Sequence, residues 1–257
     1  MATVSTSLLR AEPVDLFVLA GQSNMEGYRG DARFYPVDMK KLDEQIGFYW
    51  VAPGLSSSRG KWVHLQAQGG LFPSGHFGPE ITFARSLTQA GFRPVIFKYS
   101  AVTTSLAENW LAPGRGGLYD AMIEELQKAI ALQEKAGNKV TVRALVWVQG
   151  ESDAQTDEMA ANYYSRLTAL IKDFRERVVK NQKLPVILGV DEQHPWVRER
   201  PVIVESQKRM ALIDSCEAFT SMVGLPKFDM THLTPAGLEV HGELLKTAYM
   251  KIKKSCN

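Results

Sequence analysis

The chain has 257 residues, 45% of them hydrophobic and 23% charged, the balance of a globular α/β-sized domain that can bury a sizeable core. A formal net charge of +2 is too mild to imply a nucleic-acid partner, and no apolar run approaches the roughly 20 residues needed to span a membrane. Cys216 and Cys256 fall in no metal-binding spacing and make no disulfide framework, so each is expected as a buried or tail thiol. The opening MATVSTSLLRAEPVD has no basic stretch followed by a continuous apolar one, so no secretory leader is read there. Cytoplasmic location is the default expectation, with secretion the alternative if a leader was removed.

The first element is the apolar, β-branched-rich run that ends on Gly21, and a strand is predicted over residues 15–20. It delivers Gly21, Gln22, Ser23, Asn24 and Met25. Residues 28–78 follow, rich in Gly, Ser and Pro, with short β-like pieces at 46–51 and 62–65. They read as a long excursion near the site rather than a separate domain. After Gly78-Pro79 the run EITFARSLTQA is predicted helical, with Pro79 suited to a first helical position and Gly91 as the stop. Strands are predicted at 94–99, 140–148, 184–190 and 218–223. Between them, Leu118, Met122, Ile123, Leu126, Ala129 and Ile130 keep helical spacing, as do Tyr163, Leu167, Leu170, Ile171, Phe174 and Val178. Two more helices are predicted at 200–213 and 235–254.

Alternation of strand and helix predicts one α/β domain over residues 1–257, a three-layer α/β/α sandwich around a mainly parallel sheet. Ligands in such sheets bind at the carboxyl ends of the strands. Three polar clusters fall on that edge: Ser23 after the first strand, Gln149, Gly150, Glu151 and Asp153 after the 140–148 strand, and Asp229 with His232 after the last strand. A hydroxyl, an imidazole and a carboxylate meeting there satisfy nucleophilic catalysis, because the serine needs a base and the base needs a carboxylate to hold its tautomer. Each residue alone also has a plainer use. Ser23 is a good N-cap, Asp229 a turn residue, and Gln149 and Glu151 could bond loop amides.

GQSNMEG, FGPE, WVQGESDA and DMTHLTPAG, in that order, resemble the landmark blocks of the SGNH hydrolase superfamily. More narrowly the chain resembles its carbohydrate esterase branch, which includes plant carbohydrate esterases, acetylxylan esterases and sialate O-acetylesterase-like proteins. The resemblance runs from about residue 14 to the end and implies a flavodoxin-like fold. It implies Ser23 as nucleophile, His232 as base and Asp229 as its orienter. The implied oxyanion hole is the amides of Ser23 and Gly78 with the side-chain amide of Gln149. Some members of the branch are argued to use the glutamate of the QGE motif as the acid, which makes Glu151 the alternative to Asp229. One departure stands out: Val102 and Thr103 occupy positions where many relatives carry a glycine pair.

The function expected is therefore a serine esterase that removes short acyl groups, acetyl foremost, from carbohydrate. Its partner is an acetylated sugar or polysaccharide, with no nucleic acid, membrane, metal or cofactor. Nothing in the sequence speaks to oligomeric state. The rivals are a lipid or thioester hydrolase on the same fold and a catalytically silent carbohydrate-binding protein. A nucleotide-binding reading fails because the first strand is followed by neither GxGxxG nor a phosphate-cradling lysine.

Overall fold

Every apolar residue from Leu16 to Ala20 is fully buried, which makes the strand that carries them the axis of the molecule. The structure, a computed structural model, describes residues 12–256. In chain order it forms β1 (Glu12–Gly21), α1 (Ser23–Glu26), β2 (Gly47–Ala52), β3 (Ser56–Ser57), β4 (Val63–His64), α2 (Glu80–Gln89) and β5 (Pro94–Ser100). Then come α3 (Leu118–Lys135), β6 (Asn138–Val148), α4 (Asp157–Ala161), α5 (Tyr163–Asp173), β7 (Val186–Val190), α6 (Pro195–Glu199), α7 (Val202–Ile213), β8 (Glu217–Ser221) and α8 (Pro235–Ile252). Among the described residues the strands form one sheet in the order β3-β2-β5-β1-β6-β7-β8, with β4 also paired to β2.

The ladders β2–β5, β5–β1, β1–β6, β6–β7 and β7–β8 are all parallel, and only β3 and β4 run antiparallel to β2. The five strands β5-β1-β6-β7-β8 have the flavodoxin-like order, in which the chain leaves β1 toward one side and later returns to the other. That switch leaves a crevice at the carboxyl end of β1, which is where Ser23 emerges. Side-chain alternation along β1 divides the core. Leu16, Val18 and Ala20 face one layer with Met122 and Leu126 of α3, Leu167 and Leu170 of α5, and Ile203 of α7. Phe17 and Leu19 face the other, with Ile81, Phe83 and Leu87 of α2 and Leu238, Leu245 and Tyr249 of α8. Burying a side chain of this size contributes about 1.5–3 kcal/mol, so both faces hold the sheet between helix layers.

Three sequence expectations are corrected. The 46–51 piece of the supposed excursion is a full strand of the central sheet, since β2 pairs in parallel with β5 and its Phe48, Tyr49 and Trp50 are buried. The predicted helix at 200–213 begins later, because Arg200 leaves helical geometry ahead of Pro201, and α7 starts at Val202. The two cysteines are not separate thiols but a disulfide, with Cα atoms 5.4 Å apart. α8 packs back along β8 and returns Cys256 to Cys216, 40 residues earlier in sequence. Sequence spacing could not reveal a pairing that only this packing creates.

The closed segment contains both Asp229 and His232. A crosslink over a loop of this length removes chain entropy from the unfolded state worth about 4 kcal/mol. The double variant Cys216→Ser/Cys256→Ser is expected to unfold at clearly lower urea than the oxidised protein, by an amount of that order. Reductant should shift the parent to the same midpoint and leave the variant unmoved. Coincident midpoints for oxidised parent and variant would show that the bridge contributes nothing.

Candidate active site

β1 ends on Gly21 at φ +149°, and a Cβ there would sit 2.0 Å from the Val148 carbonyl oxygen. Only glycine lets the strand end pass this close to β6. The chain then turns into α1, whose first residue is Ser23. Gly27 closes the turn in the left-handed region at φ +85°, donating its amide to Ser23 O, and Tyr28 donates to the same oxygen. Below the helix the Glu26 carboxylate is fully buried and accepts from His76 Nε2 at 2.6 Å, Gln68 Nε2 at 2.9 Å and Ser100 Oγ. Lys98 Nζ donates to Glu26 O at 3.1 Å and to Glu80 Oε2 at 2.7 Å. A buried carboxylate is tolerated only when its acceptors are satisfied in this way, so the helix that begins with Ser23 is fixed from beneath.

Asp229 and His232 lie on a short hairpin. Phe228 N donates to His232 O at 2.8 Å, and Thr234 N to Pro226 O at 3.0 Å. The Asp229 carboxylate shapes the tip by accepting from the backbone amides of Thr231 and His232 through Oδ1. It also accepts from His232 Nδ1, at 2.9 Å to Oδ2 and 3.1 Å to Oδ1. Since the carboxylate can only accept, Nδ1 carries the proton and Nε2 is left with its lone pair. Partial burial works to raise the Asp229 pKa, but the bonds from the His232 ring and from the His232 and Thr231 amides prevail and hold it at about 2. The Tyr28 ring lies 4.6 Å from the imidazole, and Arg29 lies over Phe228 with its Nε 3.6 Å from Asp229 Oδ2.

The hairpin is tied to the turn after β1 by Asn24. Its side-chain amide donates to Thr231 O at 3.0 Å and its Oδ1 accepts from Leu233 N at 3.0 Å. The residue next to Ser23 thus grips the backbone on both sides of His232. Ser23 Oγ forms no hydrogen bond with another described residue. His232 is thus bonded to Asp229, and the backbone on both sides of it is held by Asn24, the residue after Ser23.

The other expected site residues stand differently. Gly78 N donates to Glu80 Oε1 at 2.9 Å inside the buried cluster, so this amide is already engaged. Gln149 is fully buried, and its Nε2 donates to Thr104 O at 3.0 Å and Asp153 Oδ2 at 2.7 Å, which uses both amide hydrogens. Both residues' amide hydrogens thus meet acceptors among the described residues. Asp153 in turn accepts from the Leu106 and Ala107 amides, so Gln149 and Asp153 hold the loop after β5. In that loop Thr103 has φ +57°, and the amides of Val102 and Thr103 meet no acceptor among the described residues. Ser23 N is equally free. Glu151 does not touch His232. It accepts from Asp191 N at 3.0 Å, while its Oε2 has no partner. Among the described residues no group of three or more His, Cys, Asp or Glu is placed to hold a metal ion.

Residues 13–251 match the family described as carbohydrate esterase, sialic acid-specific acetylesterase. The chain belongs to that family. The esterase is thus a carboxylic ester hydrolase acting on carbohydrate. Among solved structures it is similar to a protein from Arabidopsis thaliana, at 23% identity and a TM-score of 0.68 over 93% of this chain and 98% of that one. It is similar also to a carbohydrate acetylesterase from Xanthomonas citri, at 21% identity and a TM-score of 0.64, over 94% of this chain and 57% of that one. NanS aligns at 13% identity with a TM-score of 0.67, over 96% of the esterase and 100% of NanS. At these identities the likeness is one of fold. No curated protein matches the sequence.

Some contacts around the expected site residues were not legible in the sequence. Asn24 stands beside the serine, but nothing in the motif says that its side chain reaches a loop 207 residues away. The contacts of Tyr28 with the His232 ring and of Arg29 with Phe228 and Asp229 carried no signal at all.

The two carboxylates are separable by substitution. Asp229→Asn leaves the imidazole in the wrong tautomer and is expected to slow turnover by up to about 10⁴-fold, as in serine proteases. Glu151→Gln keeps the acceptor for Asp191 N and is expected to cost far less. Steady-state rates on an acetyl ester decide between them, and a more damaged Glu151 variant would move the acid to Glu151.

Burial pushes the Glu151 pKa up to about 7, with the bond from Asp191 N opposing it and the Asp191 charge adding to it. The folded protein then holds this proton to higher pH than the unfolded chain does, so the stability it contributes below about pH 4.5 is lost as pH rises through 7. Thermal melts of Glu151→Gln should gain on the parent steadily over that range. A difference that stays flat with pH would mean that Glu151 is not desolvated.

Proposed function

We propose that the esterase removes short acyl groups, acetyl foremost, from a carbohydrate through a Ser23–His232–Asp229 triad. The observation that carries this is the Asp229–His232 pair, bonded through Nδ1 and held on both sides of His232 by Asn24, the residue beside Ser23. Ser23 Oγ attacks the ester carbonyl while His232 Nε2 takes its proton, and Asp229 stabilises the imidazolium. His232 then protonates the departing sugar hydroxyl, and water, activated by the same nitrogen, releases the acid from the acyl-enzyme. The Ser23 amide, with the Val102 and Thr103 amides across the crevice, supplies donors for the oxyanion. The second donor thus comes from this loop rather than from Gly78 or Gln149, whose hydrogens are engaged elsewhere.

The family description makes O-acetylated sialic acid the first sugar to offer. The disulfide supports work in an oxidising compartment, where such bonds persist, rather than the cytoplasm. Ser23→Ala is expected to lower acetate release from acetylated sugars and from p-nitrophenyl acetate by on the order of 10⁴–10⁶-fold without loss of fold. The parent should favour acetyl over butyryl esters, with octanoyl inert; were there an apolar acyl pocket, each methylene entering it would add about 0.8 kcal/mol of binding and reverse that order. Acetate release by Ser23→Ala at the parent rate would end the triad reading, and rates that rise with chain length would favour a lipid or thioester hydrolase.

A further inference from the structure

In the hairpin that carries Asp229 and His232, Leu233 is buried in the core, but the tip has little core to hold it. Phe228 is 64% exposed and Met230 74%, so its tip is positioned by point contacts rather than by burial. Asn24 grips the His232 side. On the opposite strand, Lys227 pairs with Leu233 in an isolated bridge and sends its side chain down to Asp191, Nζ to Oδ1 at 2.6 Å. Asp191 is the first residue after β7 and is fully buried, while the Lys227 side chain is 13% exposed. Asp191 is itself fixed on three sides: Oδ1 accepts from Gln193 N at 3.0 Å, its backbone amide donates to Glu151 Oε1 at 3.0 Å, and its carbonyl accepts from His194 N at 3.2 Å.

We propose that Lys227, through its buried ion pair with Asp191, is a positioning residue that sets the reach of His232 toward Ser23. The inference rests on the triad reading above. The path is short. Lys227 precedes Phe228, whose amide bonds His232 O, and lies two residues before Asp229, whose carboxylate bonds the imidazole. The anchor at the other end is rigid because Glu151 and the 191–194 turn hold it. Lys227 is also the only cation bonded to Asp191 among the described residues, in a spot where Asp191 Oδ2 and Glu151 Oε2 both lack partners. A hairpin freed at this end keeps its Asp229–His232 bond but loses its register against Ser23. Glu151, the rival acid by motif, thereby acts elsewhere, holding the anchor of the clamp.

The test is steady-state kinetics on p-nitrophenyl acetate for Lys227→Met, Lys227→Arg, Asp191→Asn and Lys227→Met/Asp191→Asn, with circular dichroism melts to fix the folded fraction. Lys227→Met is expected to lower kcat per folded molecule by roughly 10–100-fold, the scale of a misplaced catalytic group. KM should stay within about twofold, since the bond made only in the transition state is what suffers. Lys227→Arg, which keeps the charge, should recover most of the loss. The double variant should be no slower than the slower single one, as expected of residues that act as a unit. If Lys227→Met does not fold, the double variant and Lys227→Arg carry the comparison. Normal kcat in a folded Lys227→Met or double variant, with only a lower melting temperature, overturns the proposal, and so does a change confined to KM. Ser23→Ala measured beside them separates the two readings. An active Ser23→Ala sinks the triad itself, whereas an inactive one with a normal Lys227→Met sinks only the clamp.

Discussion

Two hydrogen bonds from one buried amide join the beginning of this chain to its end. Asn24, in the turn after the first strand, holds Thr231 O and Leu233 N in the last loop, both at 3.0 Å. Each such bond is worth only about 1 kcal/mol net, yet a buried amide left without partners costs more than that. The arrangement is therefore specified more strongly than it is stabilised. It fixes the backbone on both sides of His232 relative to the helix that begins with Ser23, and every step proposed for the site presupposes that placement.

The sheet order makes this meeting possible. β1 lies between β5 and β6, so its carboxyl end opens where the chain has parted to both sides. Gly21 brings the strand end against the Val148 carbonyl, and the turn that follows has a polar floor rather than an apolar one. Glu26, Gln68, His76 and Ser100 form that floor, and Lys98 with Glu80 extends it. Gln68 and His76 come from the 28–78 segment, so the long insertion is bound into the support of the helix that begins with Ser23 as well as into the sheet. A network of this kind is stable only when complete, and its members are poor candidates for independent substitution.

Gln149 shows how a motif residue can be bound into the fold around a site. Its hydrogens go to Thr104 O and Asp153 Oδ2, and Asp153 caps the loop in which Thr103 takes a left-handed φ of +57°. A non-glycine residue in that region stores strain, which the surrounding bonds must hold. In that loop the amides of Val102 and Thr103 meet no acceptor among the described residues. Gln149 thus holds the shape of this loop, and Glu151, one residue past Gly150, holds the Asp191 amide.

The sequence by itself determined the layers of the fold and the pairing of Asp229 with His232. Strand and helix periodicities are local properties of side-chain order, and alternation of the two leaves few ways to bury both faces of a sheet. DMTH is legible for the same reason: an aspartate three residues before a histidine can reach its ring within one turn. What the sequence could not determine are contacts between residues far apart in the chain. The Cys216–Cys256 bridge, the entry of residues 47–52 into the central sheet, and the engagement of Gly78 by Glu80 depend on how packed elements meet. So do the reach of Asn24 across 207 positions and the pairing of Lys227 with Asp191. A donor in a motif says which bonds a residue can make. Only the tertiary structure decides which acceptor arrives first, because the acceptors are brought by other strands and loops.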